Sequence, residues 1–245
     1  MERHREQPFF LYFPMALCHA VSDDFMPRPP YEPGKNRYEN YAEMMAAMDE
    51  RIGQLVGAVE KLGLAKKTLV LFLTDNGTTP HIFIRHDNGR LIKERVTSRF
   101  DGREVLGAKG KFTDLGIRVP AIAWWPGRIK PGQTSDALID VSDLLPTFVE
   151  LAGRSGPSFK TDGRSFAGLL TGDPHTSREW VSVQTRNKAC VRTRDWKLVS
   201  DGRLFQLAKD PDEKKAIAAK SDTPESKAAR KELAEILKPI VSGLK

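Results

Sequence analysis

The feature that most constrains this chain is the run Thr68-Leu69-Val70-Leu71-Phe72-Leu73-Thr74, which stops abruptly at Asp75-Asn76-Gly77. A short, unbroken apolar run reads as a strand covered on both faces, the pattern of a parallel sheet. The polar triplet then falls at the carboxyl end of the strand, and open α/β sheets place their ligands just beyond that end. Asp75 and Asn76 both offer side-chain oxygens, and Gly77 lets the chain turn away at once. The expectation is half of a hard-cation site, with the other half supplied from outside this chain.

The flanking segments suggest how that strand is framed. Over residues 38–62, apolar residues recur at Tyr41, Met45, Met48, Ile52, Leu55, Val59 and Leu62. Steps of four and three place them on one helical face. Met44, Met45 and Met48 are read as core packing rather than as a soft-metal box. Gly63 is placed to end the helix. Upstream, Met1 to Gln7 is charged and Pro8 to Leu17 is apolar, a loose likeness to a secretion signal. Two prolines in the apolar run, two glutamates before it and no small-residue cleavage site argue against a leader, so Phe9 to Phe13 is read as a core strand. Strand, helix and strand make a βαβ unit, which predicts an α/β fold with a mostly parallel or mixed sheet flanked by helices. The Pro-rich stretch 27–34 is read as loop.

Residues 78–106 lack clear periodicity and read as one long functional loop. It leads to Gly107-Ala108-Lys109-Gly110, where the glycines free the backbone around a lysine. The spacing is not that of a nucleotide-binding P-loop. Ala121 to Trp125 reads as a short strand closed by Pro126-Gly127. Asp143 is placed to cap a helix with Pro146 in its first turn, with Leu144, Leu145, Phe148, Val149 and Leu151 as its buried face and Gly153 as its stop. From about residue 173 the pattern changes. Residues 180–185, 189–193, 196–200 and 203–207 read as an antiparallel meander with turn-like separators, and Thr223-Pro224 opens a final helix carrying Leu233, Ile236, Leu237 and Ile240. The expected organisation is an α/β domain over 1–172 and a small four-stranded antiparallel α+β subdomain with a terminal helix over 173–245.

Composition removes some classes of function. No stretch of the 245 residues approaches the roughly 20 apolar residues of a membrane helix. The formal net charge of +7 suits an anionic ligand, but the charges are dispersed, and nucleic-acid binding is not expected. Two cysteines, Cys18 and Cys190, without paired spacing, exclude a disulfide framework and argue against a Cys-rich zinc site.

Three points follow sheet strands: His19, Asp75-Asn76 and Lys109. Taken alone, each has a blander reading that is favoured: a structural histidine, a turn and a surface lysine. Together, an oxygen pair suits Ca²⁺ or Mg²⁺, and a nearby Lys and His can bind and protonate a tetrahedral oxyanion. A phosphate or sulfate ester fits. The ordered set Leu71 to Gly77, Gly107-Ala108-Lys109-Gly110, Gly116-Ile117-Arg118-Val119-Pro120, Trp125-Pro126-Gly127 and Asp140 to Thr147 resembles the sulfatase family, within the alkaline phosphatase superfamily. The resemblance continues in Val191 to Leu198, Leu204 to Leu207 and Asp210 to Glu213, and upstream in Pro8 to Tyr12 with Cys18-His19-Ala20. It covers nearly the whole chain and is nearest to the carboxyl-terminal half of bacterial arylsulfatases. It implies a partial alkaline-phosphatase-like fold and Ca²⁺-dependent cleavage of small-molecule or glycan sulfate esters. Asp75 and Asn76 would be metal ligands, and His19 and Lys109 would hold the sulfate, one of them assisting the leaving oxygen.

The departures are informative. The family makes a formylglycine nucleophile from a Cys/Ser-x-Pro-x-Arg motif. Here Cys18 is followed by His19-Ala20-Val21-Ser22 and Cys190 by Val191-Arg192-Thr193-Arg194, and no serine carries the motif. The family's early Asp-Asp metal pair, and its Lys and His beyond the nucleophile, are absent too. Ala108 stands where glycine is usual and Val21 where proline is usual. The implied reading is an incomplete sulfatase partnered by a missing amino-terminal half. The alternatives are a phosphate or phosphonate ester hydrolase of the same superfamily and a non-catalytic binding module. Family members generally work in the periplasm or outside the cell, but no leader is readable here and the compartment stays open.

Overall fold

The structure, a computed structural model, describes residues 1–19, 40–87, 90–100, 102–154, 156 and 158–243. The chain divides into two compact units, residues 1–111 with 118–127, and residues 112–117 with 128–245. The expected loop 27–34 lies outside the described residues.

In the first unit, helix α1 spans Tyr41–Lys61. Asn40 caps it by accepting from the backbone N–H of Glu43 at 3.0 Å, and Gly63, with φ of +69°, turns the chain out at the other end. The face is shifted from the expected one: Met44 is fully buried while Met45 is 40% exposed. Met44 packs with Ile82 and Val96, and with Leu17, Cys18 and Tyr41 at the edge of the cluster. Strand β1 is Val70–Leu73 and pairs antiparallel with β6, Ala121–Trp124. Among the described residues the strand pairings are antiparallel, and the expected parallel sheet is not found there. That expectation needed Phe9 to Phe13 as a strand, and this segment forms none. Phe10, Leu11, Tyr12 and Phe13 are all exposed.

The expected loop 78–106 is instead two hairpins. Strands β2 (His81–Asp87) and β3 (Arg90–Arg95) pair with Asp87 opposite Arg90, and β4 (Thr97–Phe100) and β5 (Arg103–Leu106) pair with Phe100 opposite Arg103. The sequence signal was present: Asn88-Gly89 and Asp101-Gly102 are the dipeptides of two-residue hairpin turns.

The second unit holds the larger core. One helical turn, α2 (Asp114–Ile117), precedes helices α3 (Leu144–Leu151) and α4 (Ala167–Thr171). Strands β7 (Val181–Thr185), β8 (Lys188–Arg192), β9 (Trp196–Val199) and β10 (Leu204–Gln206) form an antiparallel meander in sequence order, as the turn signals predict. Helix α5 (Pro224–Ser242) starts at a Thr223–Ser226 capping box. It packs Leu233 and Leu237 against Ala189, Val191, Leu198 and Leu204. The other face of the sheet buries Cys190, Val199, Phe205 and Leu207, with Phe112 and Ile117 against them.

Asp143 stands at the N-cap of α3, as expected, but its side chain makes no cap hydrogen bond there. Its buried carboxylate accepts from the N–H groups of Asp140 and Arg164 and pairs with the Arg178 guanidinium. The buried positions of α3 are Pro146 and Thr147 rather than Leu145, which is 45% exposed. Pro146 and Thr147 lie three and four residues on from the buried Asp143, on the same side of the helix.

Candidate active site

All four predicted site residues belong to the first unit. Asp75 is exposed and Asn76 half-buried, just past the end of β1. The Thr74 hydroxyl donates to the Asn76 carbonyl at 3.4 Å, and the Asn76 amide nitrogen donates to the Gly77 carbonyl at 3.4 Å. The Asn76 side-chain bond uses its amide nitrogen and not its amide oxygen, which keeps its capacity as a ligand atom.

Lys109 comes to this turn through the backbone. Its N–H donates to the carbonyl of Thr78 at 2.9 Å, two residues beyond Asn76. Gly107 makes the approach possible. A Cβ there would lie 2.3 Å from the Thr79 carbonyl oxygen and 2.5 Å from that of Thr78, inside any allowed contact. Gly110 adds a left-handed turn at φ +84°, and the exposed Lys109 side chain sits between the two glycines. The two glycines thus serve different ends, close backbone approach and turn geometry.

His19 is exposed and lies in a turn, its N–H donating to the Ala16 carbonyl at 2.7 Å. The preceding Leu17 and Cys18 anchor the turn on the Met44 cluster beside Tyr41. Burial pushes the pKa of the Tyr41 phenol above the ordinary value. Among the described residues, no group of three His, Cys, Asp or Glu side chains is placed to hold a metal ion.

With this geometry in view, a family model described as Sulfatase matches residues 1–154. This chain belongs to the sulfatase family. A second model, N-sulphoglucosamine sulphohydrolase, C-terminal, matches residues 109–240. The N-acetylgalactosamine-6-sulfatase of Rattus norvegicus is 32% identical over 157 residues, covering 63% of this chain and 26% of that protein. The N-acetylgalactosamine-6-O-sulfatase of Bacteroides thetaiotaomicron is 27% identical over 264 residues, covering 97% of this chain and 48% of that protein. A protein solved in complex with its substrate, D-glucosamine-2-N,6-O-disulfate, superposes with a TM-score of 0.61 at 25% identity, over 82% of this chain and 39% of that one. The chain thus spans about a quarter to a half of the sulfatases it matches.

Proposed function

We propose that this chain forms the carboxyl-terminal part of a sulfuric ester hydrolase, with Asp75 and Asn76 holding Ca²⁺ and with His19 and Lys109 holding the sulfate group. The observation that carries the reading is the Lys109-to-Thr78 backbone bond, in a chain of the sulfatase family. It ties the lysine loop to the residues leaving the Asp75-Asn76 turn.

The donor chemistry fits a hard cation: one carboxylate and one amide oxygen, both suited to Ca²⁺ and acceptable to Mg²⁺. These two donors fill a minority of the 6–8 positions Ca²⁺ takes, so the remaining ligands belong to an amino-terminal sulfatase segment that partners this chain. When bound, the ion supplies positive charge next to the sulfate oxygens. The Lys109 ammonium adds a second, fixed positive charge where the transferring group gains negative charge. The His19 imidazole can donate a proton to the departing oxygen. The formylglycine nucleophile is assigned to the same partner segment, because neither Cys18 nor Cys190 has the sequence context for it.

The relatives' names favour a substrate class. Two are sulfatases of N-acetylgalactosamine 6-sulfate, and a third neighbour's substrate carries a 6-O-sulfate on glucosamine. A sulfate ester on an amino-sugar glycan is the corresponding proposal here.

The test is reconstitution. The chain is mixed with the amino-terminal segment of a sulfatase from the same source, and turnover of a 6-O-sulfated N-acetylhexosamine is compared with that of its phosphate analogue. Sulfate turnover is expected, with a loss of at least a hundredfold in Lys109→Ala and rescue by excess Ca²⁺ in Asn76→Asp but not in Asp75→Ala. Faster phosphate turnover favours the phosphate ester hydrolase. A folded, associated complex inert towards both favours the binding module.

A further inference from the structure

The sulfur atoms gathered at the start of α1 are not used by the site above. The Cys18 thiol lies 3.2 Å from the Met45 thioether sulfur and 3.9 Å from that of Met48. The three residues come from two separated stretches. Met45 and Met48 are three apart on α1, so they stand on adjacent turns of one helix face. Core packing accounts for Met44, which is fully buried, but not for Met45, which is 40% exposed and still turned to the thiol.

We propose that Cys18, Met45 and Met48 form a binding site for a soft monovalent cation, Cu(I). One thiolate and two thioethers are the donor set that selects Cu(I) over harder metals. The spacing agrees. Three sulfurs around a metal at about 2.3 Å, the metal–thiolate distance of zinc sites, lie about 4 Å apart in a trigonal plane. The Cys18–Met48 separation already matches, and the Cys18–Met45 pair needs to open by less than about 1 Å. Methionine, unbranched and with three rotatable bonds, allows that movement at low cost. Binding forms one Cu–thiolate bond and two Cu–thioether bonds, and the thiol proton leaves to solvent. The metal arrives as Cu(I), so no electron is transferred. The site is chemically separate from Asp75 and Asn76, whose oxygens suit hard cations.

The test is an anaerobic titration of the 245-residue chain with Cu(I) in competition with bicinchoninate, followed by X-ray absorption of the loaded protein. The expected result is one Cu(I) per chain with three sulfur neighbours. Met45→Leu with Met48→Leu, a volume-conserving pair, should weaken binding at least tenfold while leaving the circular dichroism spectrum unchanged. Cys18→Ala should abolish it. Equal affinity in the double methionine variant, a coordination shell dominated by nitrogen or oxygen, or retention of the metal in Cys18→Ala overturns the proposal. If Cys18→Ala fails to fold, the methionine pair alone decides.

Discussion

Strands β1 and β8 both carry consecutive apolar residues but differ in burial. In β8, Ala189, Cys190 and Val191 are at most 1% exposed. In β1, Val70, Leu71, Phe72 and Leu73 are all only half-buried, and Ile122 of its partner β6 is 59% exposed. The difference lies in the surroundings. Strand β8 has ladder neighbours on both sides, α5 over one face, and Val199, Phe205 and Leu207 on the other. Among the described residues, strand β1 has the single neighbour β6. A two-stranded ribbon is marginal in water, and an apolar run becomes core only where layers cover both of its faces. The second unit is therefore expected to hold the stability of the chain, and the first its candidate chemistry.

The largest expected effect tests the first half of that division. Lys197, fully buried on β9, donates to the Phe112 carbonyl at 3.0 Å, to Asp114 at 2.6 Å and to Glu213 at 2.7 Å. Arg192 completes the cluster by pairing with Asp114 at 3.0 Å. Glu213 is held here with φ of +54°, a left-handed backbone unusual for a glutamate. Lys197→Met removes the central cation and leaves buried carboxylates behind, which is expected to lower stability by about 3–5 kcal/mol in urea denaturation. The pH dependence should change as well. Burial opposes the charge on Asp114, but Lys197 and Arg192 outweigh it and hold its carboxyl below the ordinary value. Its contribution is complete above about pH 4 and is lost as pH falls through the lowered folded value. Burial pushes the Glu213 carboxyl up, against the pull of Lys197, so its contribution is present at low pH and is lost as pH rises through the raised folded value. In Lys197→Met, Glu213 loses its nearest cation and binds a proton more readily when folded. The variant should then regain stability as pH falls from neutral towards the ordinary carboxylate range. A variant that loses stability over that range would show that the cluster contributes little.

A smaller effect is expected in the first unit, at the glycine that brings Lys109 to the Asp75-Asn76 turn. Gly107→Ala places a methyl group against two carbonyl oxygens, and overpacking of this kind costs about 1–3 kcal/mol. The specific readout is hydrogen exchange of the Lys109 amide, bonded to Thr78. That amide should exchange at least tenfold faster, while the amides of Ala189, Cys190 and Val191 stay protected. Equal slowing or speeding in both units would mean that they do not differ in the way their burial suggests.

The legible parts of the sequence were those in which a local rule and the tertiary environment agree. The meander, the Thr223 cap, the Gly63 stop and the face carrying Leu233 and Leu237 all follow from turn chemistry and periodicity, and the structure has them. The hairpins at 81–106 were missed because a charged, unevenly alternating stretch was weighed by composition, although Asn88-Gly89 and Asp101-Gly102 carried the turn signal. The strand expected at 9–13 failed for another reason: its residues suit a strand, but pairing is a property of neighbours, not of the segment. The sequence proposes the candidate site as three separate points, His19, Asp75-Asn76 and Lys109. The Lys109–Thr78 backbone bond, which ties the lysine loop to the residues leaving the Asp75-Asn76 turn, has no sequence pattern. The Lys197 cluster was hidden because a lysine within Trp196-Lys197-Leu198-Val199 reads as the outward member of an alternation, whereas its charge is met from within by Asp114 and Glu213.

The smallest expected effect is the sharpest control on the comparison. Tyr12 is 75% exposed in a segment without strand pairing. If apolar character alone stabilised this unit, replacing its ring would be felt. If coverage is what counts, Tyr12→Ser removes surface that is already in water, and its effect should stay within about 0.5 kcal/mol. Val191→Ser, in the fully covered β8, removes a buried side chain and leaves a hydroxyl that needs a partner. Paired urea titrations of the two variants measure the same kind of exchange, apolar to hydroxyl, in both environments. A Tyr12→Ser loss comparable to that of Val191→Ser would mean that residues 9–13 are covered in solution, and that β1 has neighbours beyond β6.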